Sequence, residues 1–249
     1  MYGFSFAVIA LVGAMSGSGD VASASNKSAT IQQPALKAGD SWVFEEADET
    51  GQSGFSKNLI DITVERADGD TILVGVKRDG APTGYVDSVM GADWSRRLFL
   101  NGKETITNRP FVFPMSIGQS WNADWDDVRH GNVLSGHAHR TCTAVGWEDV
   151  TVPAGAFHAV KVVCKGVDEM TVEVAGQTVA GTVAGSAGVT SVAHAQRGGQ
   201  AKVTHVTYAE SYYVPELRNY VKAVDEKYNA TNVRLARTTS VLVSLKPAN

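Results

Sequence analysis

An all-β fold, an antiparallel barrel, half-barrel or sandwich built of consecutive hairpins with little helix, is what this sequence predicts, on three observations. Apolar and polar residues alternate over stretch after stretch, as in Ile60, Ile62 and Val64 against Asp61, Thr63 and Glu65. Turn signals such as Asn101-Gly102 and Pro153-Ala154-Gly155 separate these runs at short intervals. Apolar residues at the spacing of a helical face are scarce. A sheet of many short strands must close, curl or double to protect its edges, hence the barrel or sandwich.

Composition is that of a folded, soluble chain: 249 residues, 43% hydrophobic, 19% charged. The formal net charge of −4 lacks the basic excess of a nucleic-acid binder, so nucleic acid is not an expected partner. No motif for a cofactor is present, and none is expected.

Taken in order, the chain opens on a targeting segment. Phe4 to Met15 (FSFAVIALVGAM) is uninterruptedly apolar or small, Gly17-Ser18-Gly19 breaks it, and Ala22-Ser23-Ala24 has the small-x-small form of a cleavage site. Residues 1–24 therefore read as a signal peptide cut after Ala24, which places the mature protein in the periplasm or outside the cell. The MYGF start departs from the usual pattern in having no Lys or Arg. No cysteine follows the apolar run, which excludes a lipid anchor at this site. The run is too short to span a bilayer and no later one approaches about 20 residues, so the mature chain is expected to have no transmembrane span. Residues 25–35 read as a flexible segment and 36–249 as one all-β domain, or as two β units over 36–109 and 110–249.

"LKAGDSWVFEE" at 36–46 returns as "MSIGQSWNADW" at 115–125. Each copy carries a glycine able to make a tight turn, Gly39 or Gly118, followed by a strand that begins with Ser-Trp. Trp42 and Trp121 then hold equivalent places at two strand starts, either by duplication or because one turn was used twice.

The next alternating runs, 60–65 and 72–76, form a hairpin. With Ala67 to Gly69 as its loop, 64 pairs with 72, 62 with 74 and 60 with 76, and Gly69 takes the left-handed position. Strands follow at 84–89, 95–100, 104–108, 119–125, 133–147, 157–173, 202–213, 218–226 and 233–245. In the last, Val233, Leu235, Val241, Val243 and Leu245 share one parity, but Arg237 and Thr239 intrude on it, which calls for a bulge, an exposed middle or a polar-lined interior.

Cys142 and Cys164 are the two cysteines, and they flank the Pro153-Ala154-Gly155 turn. Folding back there lays "FHAVKVVCKGV" antiparallel to "HRTCTAVGWEDVTV" and brings the cysteines nearly opposite, so an exported chain is expected to join them. Residues 174–201 depart from the strand pattern: Val-Ala-Gly recurs among small residues, which reads as a mobile hairpin insertion.

"GQSW", "EDVTVPAGAFHAVKV" and "YAESYYVPELRNYVK" together resemble a broad group of uncharacterised bacterial exported all-β proteins. That group has a Gly-x-x-Trp strand start, a V-x-V-P-A-G-x-F-x-A-x-K-V hairpin and a tyrosine-rich strand turning through Pro into V-K. The matching positions are Gly118, Trp121, Val150 to Val162, Tyr212, Tyr213, Pro215, Val221 and Lys222. The resemblance covers residues 115–225 and implies an all-β envelope protein without an established activity. Where the group has a glycine-containing turn, this chain has Glu216-Leu217-Arg218.

Candidate chemistry is sparse. His130, His137 and His139 are the metal candidates, because His137 and His139 share one face of a strand and Asp126 or Asp127 could add an oxygen; His158 is equally available. Ser120 in "GQSWN" lacks the second glycine of a nucleophile elbow. Glu45-Glu46 and Asp126-Asp127 point to opposite faces and cannot act as carboxylate dyads. The aromatic residues Trp42, Phe44, Trp121, Trp125, Tyr212 and Tyr213 could line an apolar site or simply fill the core. The favoured expectation is a non-enzymatic exported β-domain that binds an apolar small molecule or an envelope component. The alternatives are a metal-dependent hydrolase on the histidines and a structural surface protein with no pocket.

Overall fold

The alternating runs become twelve strands in the computed structural model, which describes residues 30–51, 54–100, 102–127, 131–184 and 190–246. They are β1 (Ser41–Thr50), β2 (Gly54–Asp68), β3 (Thr71–Arg78), β4 (Val86–Gly91), β5 (Arg97–Leu100), β6 (Lys103–Ile106), β7 (Ser120–Asp127), β8 (Val133–Val152), β9 (Gly155–Ala184), β10 (Thr190–Val214), β11 (Asn219–Tyr228) and β12 (Arg234–Lys246). A single 3₁₀ turn, Pro215–Leu217, is the helical content among the described residues. The predicted signal peptide lies outside them.

Ten strands form one antiparallel sheet in the order β4-β3-β2-β1-β12-β11-β10-β9-β8-β7. The sheet is open, with edges at β4 and β7, and curls into a half-barrel. The connector between those two edge strands runs back across the opening. It carries the β5–β6 hairpin and drives Phe111 and Met115 fully into the core. Arg97 ties the connector to the β3 side through Thr71 Oγ1 at 3.0 Å and Asp70 O at 3.1 Å, while Trp121 Nε1 donates to Arg109 O at 3.3 Å on the β7 side. Before β1, Ile31 exchanges backbone hydrogen bonds with Met115, both at 2.8 Å, which holds part of the 25–35 segment against the connector.

The repeated peptide forms the same turn twice. Gly39 and Gly118 have φ of 93° and 85°, a conformation that glycine adopts at little cost. Gly39 N donates to Val64 O and Val64 N to Asp40 O; Gly118 N donates to Ala144 O and Ala144 N to Gln119 O. In each copy the residue after the glycine folds its side chain back on the turn, Asp40 Oδ2 accepting from Lys37 N at 2.8 Å and Gln119 Oε1 from Ser116 N at 2.9 Å. Each turn sets the register of its strand on the strand that follows.

The β2–β3 hairpin differs from the expected pairing. Val64 pairs with Val74, Ile62 with Val76 and Ile60 with Arg78, because the ladder slips between Val64 and Arg66 and Asp68 pairs with Thr71. Shortening the loop to Gly69-Asp70 moves the partners by three residues and the bulge at Glu65 takes one back, a net shift of two from the expected pairing, while Gly69 keeps its left-handed φ of 56°. Cys142 and Cys164 are direct cross-strand partners on β8 and β9 and are disulfide-bonded across a sequence separation of 22. In the 174–201 stretch, β9 and β10 stay paired from Val174 with Gly199 to Ala184 with Thr190; residues 185–189 lie outside the described residues.

At the β10–β11 turn, Arg218 adopts a left-handed φ of 59°. Its guanidinium offsets that strain: Nη2 donates to Asp40 Oδ1 at 2.7 Å and Nη1 to Ala35 O at 2.9 Å, and Asp40 is fully buried. Two outcomes follow for equilibrium urea unfolding. Arg218→Ala lowers stability by about 2–3 kcal/mol, the scale of hydrogen bonds to charged groups, and Arg218→Gly recovers about 1 kcal/mol of that by relieving the left-handed strain. Replacing both cysteines by alanine costs about 3 kcal/mol, as closing a loop of this length requires.

Candidate functional site: an interior cavity

Register places four cross-strand rows on the concave face of β8, β9, β10, β11, β12 and β1. The first row is aromatic. Tyr213 pairs with Tyr220, Tyr220 stacks on Phe44 at 4.8 Å, and Tyr213 packs against Phe111 and Phe113 of the connector at 4.9 and 5.3 Å. The second row is small and polar: Ser211 pairs with Ala223, Ala223 with Ser240, and Ser240 with Glu46. The third runs Cys164, Ala209, Asp225, Thr238, and the fourth Arg140, Gly166, Thr207, Lys227.

Small side chains in the middle rows cannot reach across the half-barrel, and a cavity of about 390 Å³ remains between the aromatic row and the charged one. Ile62, Val76 and Met90 form its far wall, Trp94 of the connector closes it, and exposed Asn108 stands at its rim. Its size falls within the usual range for small-molecule sites, about 300–1,000 Å³.

The charged end depends on Gly166. A Cβ there would lie 2.0 Å from His139 O and 2.9 Å from Arg140 Cγ, so only glycine lets Arg140 cross the face. Its guanidinium reaches Asp225 Oδ2 at 3.4 Å and Asp168 Oδ1 at 3.9 Å, and lies over the Trp125 ring at 5.3 Å. Lys227 completes the cluster at 3.3 Å from Asp168, and Glu46 is paired with Arg78 at 2.7 Å. Burial raises the Asp225 carboxyl above the usual carboxylate range, with Arg140 and Lys227 opposing the shift.

The structure does not assemble the six predicted aromatic residues into one lining. Trp42 and Phe44 are each 2% exposed and Tyr213 is fully enclosed, so these three are packed core. Trp121 caps the β7 edge, Trp125 lies on Arg140, and Tyr212 is held between the Lys161 and Lys222 ammonium groups, each 5.3 Å from its ring. The cavity draws its aromatic surface from Trp94 and Tyr220 instead. Trp94 falls in the gap between the predicted strands at 84–89 and 95–100, and Tyr220 is one tyrosine among several. The signal that could have marked the site is the run of small residues, Ala209, Ser211, Ala223 and Ser240, at inward positions of adjacent strands.

His137 and His139 share the outer face of β8, as alternation requires, and each faces a carboxylate on β7. His137 Nδ1 is 3.0 Å from Asp126 Oδ1, and His139 Nδ1 contacts Asp124 Oδ1. His158 is paired with Asp149 at 2.6 Å and stacked on Trp147. His130 lies outside the described residues. Among the described residues no group of three or more His, Cys, Asp and Glu side chains is placed to hold a metal ion.

No protein-family model matches the chain, and no curated protein matches it. Two solved structures resemble it. One is a Bacteroides fragilis NCTC 9343 protein described by inferred export and a YmcC-like fold, with 15% identity over 88% of this chain and 100% of that one and a TM-score of 0.46. The other is an inferred lipoprotein of Parabacteroides distasonis ATCC 8503, with 13% identity over 87% of this chain and 99% of that one and a TM-score of 0.47.

The aromatic row gives the protein an alkaline limit. Burial, with Glu46 nearby, pushes the Tyr220 phenol from 10.0 up to about 12, so the native state holds its proton more tightly than the unfolded chain does. The resulting stabilisation is full below the unfolded value and is lost as pH rises through about 12. Tyr220→Phe is expected to flatten the fall in stability between those two values, read by urea unfolding across the alkaline range.

Proposed function

We propose that this chain is an exported, non-enzymatic β-domain that holds a small, largely apolar molecule inside its half-barrel. The observation that carries the reading is the cavity itself: small residues on three adjacent strands leave open a space that Ile62, Val76, Met90 and Trp94 line with apolar surface. Such a space rewards an apolar guest by removing its surface from water. Export rests on the apolar run from Phe4 to Met15, the Ala22-Ser23-Ala24 site and the Cys142–Cys164 disulfide, which suits an oxidising compartment.

Hydrolysis by a histidine-bound metal would need imidazoles converging in a cleft. His137 and His139 instead spend their Nδ1 atoms on β7 carboxylates, on the outer face and away from the residues that line the cavity. The arrangement favours binding over catalysis.

Titration with the uncharged fluorescent probe N-phenyl-1-naphthylamine tests the reading. Saturable binding is expected with a dissociation constant of about 1–100 μM. Ala223→Phe, which fills the cavity from β11, is expected to weaken it at least tenfold with an unchanged circular dichroism spectrum. Absent binding, or binding indifferent to Ala223→Phe, overturns the proposal.

A further inference from the structure

We infer that the molecule held in the cavity carries an uncharged, hydroxyl-bearing head on its apolar body, and that the head is seated on Ser211 and Ser240; this rests on the binding reading above.

Three ionised side chains line the cavity, Glu46, Arg140 and Asp225, and each already has an opposite partner. Glu46 is 2.7 Å from Arg78, and Arg140 and Asp225 face each other at 3.4 Å. Beyond them Asp168 lies between Arg140 at 3.9 Å and Lys227 at 3.3 Å. The six charges therefore cancel. A carboxylate or quaternary ammonium brought inside would lose its hydration and meet no uncompensated counter-charge, and that cost falls on the bound state.

Hydrogen-bonding capacity is arranged in the opposite way. Ser211 and Ser240 flank Ala223 in a single cross-strand row, on β10 and β12, so two hydroxyls stand on either side of a methyl group. Neither hydroxyl is engaged by another described residue, and the Asn108 side-chain amide at the rim is likewise unengaged. Hydroxyls and an amide donate and accept, which matches a diol or similar head group and discriminates against a head with charge but little hydrogen-bonding directionality. The apolar body then lies against the wall of Ile62, Val76 and Met90.

Isothermal titration of the mature full-length chain with three probes of one chain length, monooctanoylglycerol, octanoate and octyltrimethylammonium, tests the inference at neutral pH. The glyceride is expected to bind at least tenfold tighter than either ion. The double variant Ser211→Ala/Ser240→Ala, which changes little volume, is expected to lose about tenfold in glyceride affinity while keeping its affinity for N-phenyl-1-naphthylamine. That retained affinity shows the cavity to be intact. Octanoate or the ammonium binding as tightly as the glyceride overturns the inference, as does glyceride binding that ignores the serines. If none of the three binds while the naphthylamine does, the head-group inference fails alone; if the naphthylamine fails too, the binding reading falls with it.

Discussion

Two indole N–H groups donating to consecutive carbonyls hold the half-barrel together at one end. Trp42 Nε1 donates to Leu217 O at 3.2 Å and Trp94 Nε1 to Arg218 O at 2.9 Å, and the two rings meet edge to face at 5.4 Å. Trp42 begins β1, Trp94 begins the connector, and Leu217 and Arg218 close the β10–β11 turn, so one contact joins three segments far apart in sequence. An edge-to-face pair of this kind adds only about 0.5–1.5 kcal/mol beyond burial, but it also satisfies two polar groups inside the core and fixes where the connector crosses. Arg218, whose carbonyl accepts from Trp94, also pairs through its guanidinium with Asp40 at 2.7 Å. The junction works together with the Arg97 and Trp121 ties that carry the connector across the open side of the sheet.

From that junction the cavity follows by register. β-strands alternate except at bulges, here between Tyr212 and Tyr213 and between Val43 and Phe44, so once the pairing is fixed the inward positions along β9 to β1 follow from it. Large residues happen to fall on the row next to the junction and small ones on the rows beyond it. A cavity is then the default outcome, since a packed interior needs bulk on at least one of two facing positions. Gly166 extends the same logic to the charged end: an absent side chain on β9 gives Arg140 its path across the face. Packing and electrostatics at the site thus both come from where the chain places its smallest residues.

Much of this was legible in the residues. Alternation gave the strands, the Pro153-Ala154-Gly155 turn brought Cys142 opposite Cys164, and Gly39 and Gly118 announced a shared turn that the hydrogen bonds reproduce atom for atom. The β2–β3 register was not legible, because a bulge at Glu65 leaves no mark in an alternating pattern that either pairing satisfies. The cavity was hidden for a related reason. Its lining is defined by which residues face one another across non-local pairs such as Ser240 and Glu46, and large aromatics, the residues that attract attention in a sequence, are the ones that core packing consumes. The left-handed backbone of Arg218 was not legible either, because the buried Asp40 that accommodates it lies 178 residues away in the chain.

One feature of the sheet bears on how the chain acquires its shape. β1 pairs with β12, Ser41 opposite Lys246, so the seam between the earliest and latest strands runs through the middle of the sheet rather than along an edge. Hairpins on either side, β1 to β4 and β7 to β11, form from local contacts as they become available, while the seam waits for the last strand. A chain threaded through a translocase from its amino end would therefore emerge as two unjoined half-sheets, each with a bare edge, until β12 arrives to zip them together. Were the chain exported as proposed, closure of the interior would await the arrival of β12 on the far side of the membrane.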